Sequence, residues 1–253
     1  MRKAGFAIAI GLAGIVCAGL AIAQDYPTRA IRRIVPLTPG SGADIVGRLL
    51  AKKMSETWGQ PIIIENRAGA GTQIGTQAVA RAAPDGYTLL VQSASHAVNP
   101  ALYKSLPYDS QKDFVDVALL ASTPYVMVAG SSGPYRTLGA LIEAARAKPG
   151  EIPYASAGIG TSTHLVAEYF ALLAKVKLLH IPYKGSAEAI QDTLAGRTAI
   201  YMAPANAAMG HLKEGKLIAL GVGTERRTSV LPDVPTIAEQ GVKGYELTNW
   251  FGL

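Results

Sequence analysis

From residue 31 onward, short apolar runs alternate with longer stretches in which apolar residues recur every three or four positions. The first kind reads as buried strand and the second as amphipathic helix. "IRRIVPL" (31–37), "PIIIEN" (61–66) and "YTLLVQS" (87–93) are strands by that rule. Between them, "ADIVGRLLAKKMSETWG" (43–59) sets Ile45, Leu49, Leu50 and Met54 at helical spacing and stops at Gly59. "TQIGTQAVARAA" (72–83) is a second helix, closed by "PDG". The alternation then repeats: one or two strands in 117–130, a helix over 137–150, a strand over 152–158, a helix over 162–176, a strand over 178–183, a helix over 186–197, a strand over 198–204, a helix over 205–216 and a strand over 217–224. Strands separated by helices predict an α/β fold built on parallel sheets. Two such units are predicted, with extended crossings near 117–129 and 217–226. The last stretch is turn-rich and stops at an apolar "NWFGL", with no closing element expected.

The N-terminus breaks this rhythm. "MRK" is a short basic start, "AGFAIAIGLAGIVCAGLAIA" is uncharged and apolar, and Ala21-Ile22-Ala23 is a small-residue cleavage pattern followed by Gln24-Asp25. This predicts a cleavable secretory signal peptide over residues 1–23, although about 20 apolar residues would also span a bilayer. The single cysteine, Cys17, falls inside it. The mature chain is thus expected to have no disulfide and no thiol chemistry despite export. About 230 remaining residues bury a core without such staples.

The net charge is +6 for the whole chain and +4 once Arg2 and Lys3 are set aside. With no run of Lys or Arg, and with export, nucleic acid is excluded as a partner. A mild positive field does suit a small anionic ligand.

In open α/β sheets, ligands sit beyond the carboxyl ends of the strands. The loops that leave a strand and open a helix are "TPGSGAD" (38–44), "RAGAG" (67–71), "SASH" (93–96) and "SAGIGTSTH" (156–164). No G-x-x-x-x-G-K-[ST] string exists, and "GAGTQIG" (69–75) has G-x-G-x-x-x-G spacing with no acidic residue closing the next strand, so nucleotide binding is not expected. No G-x-S-x-G or H-E-x-x-H occurs; His164 and Glu168 lie four apart without a third ligand. No metal or other cofactor is expected. What remains is anion binding by backbone: a Gly/Ser/Thr loop at a helix start exposes N–H groups without intrahelical partners, reinforced by the helix dipole. Two such loops facing each other would clamp a small carboxylic acid without any arginine.

The order of these motifs carries a resemblance. "YPTRAIRRIVPLTPGSGADIVGRLLAKKMSETWGQPIIIENRAGAGTQIGTQAVARAAPDGYTLL" resembles the opening of the Bug family of periplasmic solute receptors, related to the substrate-binding subunit of tripartite tricarboxylate transporters. "HAVNPALYKSLPYDSQKDF", "YASAGIGTSTHL", "HIPYKGSAEAIQDTLAGR", "HLKEGKLIALGVGTERR", "LPDVPTIAEQG" and "WFGL" follow in the family's order. The resemblance implies a two-domain Venus-flytrap binding protein of type II-like architecture, located in the periplasm. It would be a monomer binding a small carboxylate and serving membrane transporter subunits, and not an enzyme. The implied domains are 24–122 with 225–253, and 123–224.

The ligand loops carry over onto Leu37, Thr38, Gly40, Ser41, Gly42, Ala43 and Asp44; onto Ser93, Ser95 and His96; onto Ser156, Ala157, Gly158, Gly160, Thr161 and His164; and onto Ala203 and Pro204 in "YMAPA". In this scheme Ser41, Gly42 and Ala43 donate backbone N–H groups from one domain, and Ser156, Gly158, Gly160 and Thr161 from the other. Asp44 fixes the first loop, and Ser95 and His96 line the cleft floor.

Three departures from the family pattern qualify this. Leu37-Thr38 replace the usual aromatic residue and its neighbour, and Ala199 stands where an aspartate is usual. Ala203-Pro204 replace a common acidic or amide pair, which points to a plain carboxylate rather than an amine-bearing ligand. Family members continue past "WFGL", which implies a truncated product lacking a part that packs on the first domain. The rivals are an exported hydrolase using Ser162 and His164, and a non-binding remnant.

Overall fold

The computed structural model describes residues 25–253. The expected signal peptide, residues 1–23, lies outside them.

The first sheet has three parallel strands in the order β2-β1-β3: β1 (Ile31–Val35), β2 (Ile62–Asn66) and β3 (Thr88–Leu90). Strand β1 is central, and Ile31, Ile34 and Val35 are fully buried. Helix α1 (Gly42–Trp58) lies over this sheet, with Gly47 close to Val35 and Val91. It starts at Ser41, whose side chain caps it, and stops at Gly59 in the left-handed conformation, the stop read from sequence. Helix α2 (Gln73–Ala80) follows a 3₁₀ turn (Ala70–Thr72).

The second sheet runs β4 (Gln92–Ser93), β10 (Thr248–Gly252), β5 (Leu119–Gly130), β8 (Ile200–Pro204), β6 (Pro153–Ser156), β7 (Leu179–Pro182), with β9 (Leu217–Val222) also on β5. Strands β6, β7 and β8 are parallel, whereas β5 is antiparallel to β8, β9 and β10. The sheet is therefore mixed rather than purely parallel. Helices α3 (Ser95–Leu102), α4 (Leu138–Ala147), α5 (Ser162–Ala174), α6 (Ser186–Leu194) and α7 (Ala205–Lys213) complete the fold. One core joins Met127, Leu141, Tyr154, Phe170 and Met202; another, on the opposite face, joins Val126, Val128, Ile190 and Tyr201. Among the described residues no helix is long and apolar enough to cross a membrane.

Strand β5 spans twelve residues and belongs to both lobes. Its first half pairs with β10, and its second half with β8 and β9. The expected crossing near 117–129 is this strand. The crossing expected near 217–226 lies later. After β9 the chain stays on the second lobe, where Ile237, Val242 and Tyr245 enter the core and the Tyr245 hydroxyl donates to Val166 O at 3.0 Å. Residues 225–247, expected with the first domain, thus pack on the second. The chain returns only at β10, which is the "NWFGL" segment read as lacking a closing element. It pairs Phe251 with both Ser93 and Ala121.

Side chains alternate across β10. Phe251 faces the cleft between the lobes, and Trp250 faces an open apolar groove of about 740 Å³ on the other side, bordered by Val79, Phe114, Val117 and Leu253.

Candidate functional site

The cleft between the lobes is ringed by helix starts. Gly42 and Ala43 open α1, Ser95 opens α3, Ser162 and Thr163 open α5, Ser186 opens α6, and Pro204 precedes α7. Leu37, Phe251 and Asn249 complete the wall, and among the described residues no charged side chain lines it. The positive potential at this point comes from backbone N–H groups and helix dipoles.

The lobes touch across the cleft. Asn206 Nδ2 donates to Gly42 O at 3.1 Å, and the Tyr103 hydroxyl donates to Ile159 O at 3.3 Å. Thr38 packs so tightly on Gly185 that a Cβ there would lie 1.6 Å from Thr38 Oγ1. Thr38 Oγ1 and Asn206 Oδ1 are buried and have no hydrogen-bond partner among the described residues. The enclosed space measures about 10 Å³, room for roughly one water molecule. A larger ligand enters only when the lobes part.

The first loop is held by Asp44. Its Oδ2 accepts from Gly40 N at 3.0 Å and Arg48 Nε at 2.9 Å, and its Oδ1 accepts from Asn66 Nδ2 at 2.9 Å. Burial pushes the carboxyl pKa up, but the bonds from Arg48, Gly40 and Asn66 outweigh it and leave the pKa below the ordinary value. Asp44 therefore faces its own loop. Ser41 N is taken by Thr38 O at 3.2 Å. The expectation that Ser41 donates to a ligand is corrected accordingly. Among the described residues, the amides of this loop without a protein partner are those of Thr38, Gly42 and Ala43, and of these Gly42 and Ala43 line the cleft.

The loop after β6 shows the same bookkeeping. Gly158 N donates to Ser156 Oγ at 3.1 Å, Gly160 N to His164 Nδ1 at 3.4 Å, Thr161 N to Gly158 O at 3.2 Å and Ala157 N to Thr163 Oγ1 at 2.9 Å. The amides expected to bind from Gly158, Gly160 and Thr161 are thus spent inside the loop, as is the Ser156 hydroxyl. The first-turn amides of Ser162 and Thr163 are left facing the cleft, which Ala157 and Thr161 also line.

Other expected residues lie apart. Ser93 and Ser95 reach the cleft, their hydroxyls 3.2 Å from one another. His96 does not. One helical step on, it turns away, stacks on Tyr108 and meets Phe114 edge-on, with Nε2 3.1 Å from Ser110 O. Pro204 lines the cleft, but Ala203 alternates into the core beside Val126 and Tyr201. His164 stacks on His180 behind the wall, and its Nδ1 is engaged by Gly160, so it does not form the hydrolase pair with Ser162. Among the described residues no group of three His, Cys, Asp or Glu is arranged to hold a metal ion.

The family profile described as "Tripartite tricarboxylate transporter family receptor" matches residues 46–253. The chain belongs to this family.

Similar proteins agree on fold and kind. A UPF0065 protein from the tcbD-tcbE intergenic region of a Pseudomonas sp. strain is 39% identical over 250 residues, covering 94% of this chain and 74% of the relative. Protein BugT of Bordetella pertussis is 39% identical over 244 residues, covering 94% and 75%. Among solved structures, periplasmic binding protein BugD superposes with a TM-score of 0.86 at 36% identity, covering 90% of this chain and 76% of that one. An R. palustris protein solved with adipate gives 0.87 at 36% identity, covering 90% and 77%. MatC from Rhodopseudomonas palustris, solved with malate, gives 0.85 at 34% identity, covering 90% and 78%. The chain is a tricarboxylate transporter-type receptor with the two-lobed, type II-like fold of these binding proteins.

The sequence reading missed Thr163, Ser186, Asn249 and Phe251 as cleft residues and used Ser162 only as a candidate nucleophile. For Ser162 and Thr163 a signal was present: once Thr161 is taken as the cap of α5, the next two amides are the ones a helix leaves free. For Asn249 and Phe251 there was none, because β10 is joined to the cleft only by long-range pairing.

Proposed function

We propose that this receptor captures a small organic carboxylate between its two lobes in the periplasm and presents it to membrane subunits of a transporter or to a sensor, acting as a monomer. The observation that carries this is the pair of free amide sets on opposite walls, Gly42 and Ala43 at α1 against Ser162 and Thr163 at α5. Amides at a helix start favour an anion. Each hydrogen bond to a charged carboxylate contributes roughly 1.5–3 kcal/mol, and each dipole about 0.3–1 kcal/mol, rising to ~2 when partly buried. The adipate and malate of the two R. palustris structures support the same ligand class. An uncharged wall offers no counter-ion to an ammonium group, which favours plain di- or hydroxycarboxylates over amino acids. Closure is hinge motion of the usual receptor kind, with β5 and β10 as the strands that cross.

Calorimetric titration with malate, adipate and aspartate tests this. Stoichiometric binding without turnover, weakest for aspartate, is the expected result. A Cβ at Gly42 would sit 2.8 Å from Phe251 Cζ and 2.9 Å from Asn206 Oδ1, so Gly42→Ala should weaken binding by about tenfold or more. A folded protein that binds none of the three, or a turnover lost in Ser162→Ala, defeats the proposal.

A further inference from the structure

Behind the cleft wall three rings are stacked. Tyr154 of β6 lies on His180 of β7, centroids 4.8 Å apart, and His180 lies on His164 of α5, centroids 4.2 Å apart. Neither imidazole lines the cleft, yet both bond the loop that does. His180 Nε2 is 2.6 Å from Ser156 Oγ, the oxygen that accepts Gly158 N; His164 Nδ1 accepts Gly160 N. Gly158 and Gly160 have φ of +124° and +78°, values open to glycine at little cost, so the segment between them needs external restraint to keep one conformation. The Gly160 amide is held by His164 and the Gly158 amide by the serine oxygen that contacts His180, and the first turn of α5 is left to face a ligand.

We propose that His164 and His180 are positioning residues of the binding site: as neutral ring acceptors they lock the 156–161 loop in the form that presents the Ser162 and Thr163 amides, and their protonation unlocks it and lowers affinity for the anion. This rests on the carboxylate-receptor function proposed above and adds its local control.

The chemistry on each face of the pair supports this. Tyr154 from β6 and Glu168 from α5 are the titratable neighbours, and the Tyr154 hydroxyl donates to Glu168 Oε1. Burial lowers the pKa of both histidines; mutual repulsion adds to this at His180, taking it to about 4, while Glu168 opposes the shift. Both rings are therefore neutral near pH 7. A proton on His164 Nδ1 would set a donor against the Gly160 N–H, and the bond would be lost. A proton on His180 makes Nε2 a fixed donor to Ser156 Oγ, so that the serine proton must leave that line. Two adjacent cations would also repel.

The test uses the full mature chain. In the unliganded protein, the amide NMR signals of Gly158 and Gly160 should move with the imidazole signals of His164 and His180 as pH falls from about 7 to about 4. Titration with malate supplies the second readout. His164→Leu with His180→Leu should lose about tenfold in affinity near pH 7, and His164→Asn with His180→Gln, which keeps an acceptor near each nitrogen, should recover most of it. Malate's own titration is common to both proteins, so wild type should lose severalfold more affinity in acid than the Asn/Gln pair. Glycine amides that ignore the imidazole titration, an acid loss equal in the two proteins, or wild-type affinity that rises in acid would overturn the inference. If the leucine pair does not fold, the glycine signals and the Asn/Gln pair still decide it. If no carboxylate binds at all, the receptor function fails, while the glycine signals still report on the lock.

Discussion

At the scale of single residues, the site depends on which amides a loop keeps for itself. Asp44, 3% exposed, gathers Gly40, Arg48 and Asn66 and so fixes the entry to α1. Its removal breaks three hydrogen bonds to a charged, buried acceptor, and Asp44→Ala should cost about 1–3 kcal/mol in urea unfolding. The pH dependence follows from the sign of its shift. The folded carboxyl has the lower pKa, so its contribution is complete above the ordinary carboxylate value and is lost as pH falls through the folded one. Thermal melts between about pH 5 and 2 should show wild type losing stability more steeply than Asp44→Asn. The histidines act in the same direction at higher pH. With folded pKa values below the usual 6.5, His164 and His180 take stability away progressively as pH falls below that value, because the unfolded chain takes up protons first, and for His180 the loss is complete only below about 4. The three glycine-rich loops were legible in the sequence because composition marks them. The particular donors were not, since Ser41 N and Gly158 N could be assigned only after their partners Thr38 O and Ser156 Oγ were known.

At the scale of elements, local signals served the helices well. Gly59 and the 3.6-residue spacing placed α1 within a residue at each end. A helix was expected to open after "SASH", but Pro100 and the polar start hide its extent from periodicity, and α3 begins inside that loop at Ser95. His96 was therefore assigned to the cleft, and a single helical step of about 100° turned it away. Strand β10 escaped for a different reason. Its partners, Ser93 and Ala121, are more than a hundred residues away, and a five-residue apolar end carries no period of its own. The strand is nonetheless central: Phe251, 1% exposed, packs with Val35, Ala43 and Val91. Phe251→Ala should cost about 3–5 kcal/mol in denaturant unfolding. It should also weaken carboxylate binding, because the same ring walls the cleft.

At the scale of the whole molecule, two lobes meet over a space the size of one water, and opening is the step that admits a ligand. The contact of Thr38 with Gly185 makes this testable. The φ of Gly185 is −178°, extended backbone open to any residue, so the obstacle to a Cβ is Thr38 across the cleft. Gly185→Ala should leave each lobe folded yet hold the lobes apart. The expected signs are a larger radius of gyration by small-angle scattering and a loss of about tenfold in ligand affinity, both reversed by adding Thr38→Gly. The two α/β units and their crossing strand were legible from the alternation of elements. The attachment of residues 225–247 to the second lobe was not, since Ile237, Val242 and Tyr245 are isolated apolar positions in a turn-rich segment, and only the filled core shows what they fill.

The alternation of side chains along β10 has an optical consequence. Trp250 and Trp58 are the only tryptophans in the sequence, and Trp250 sits back to back with Phe251, one strand's thickness from the ligand. Movement of the lobes that shifts Phe251 must also shift the indole in its groove, changing its solvent contact and with it the wavelength and yield of its emission. In a Trp58→Phe background the remaining fluorophore would report cleft closure without a label, so stopped-flow emission could time the arrival of malate or adipate directly.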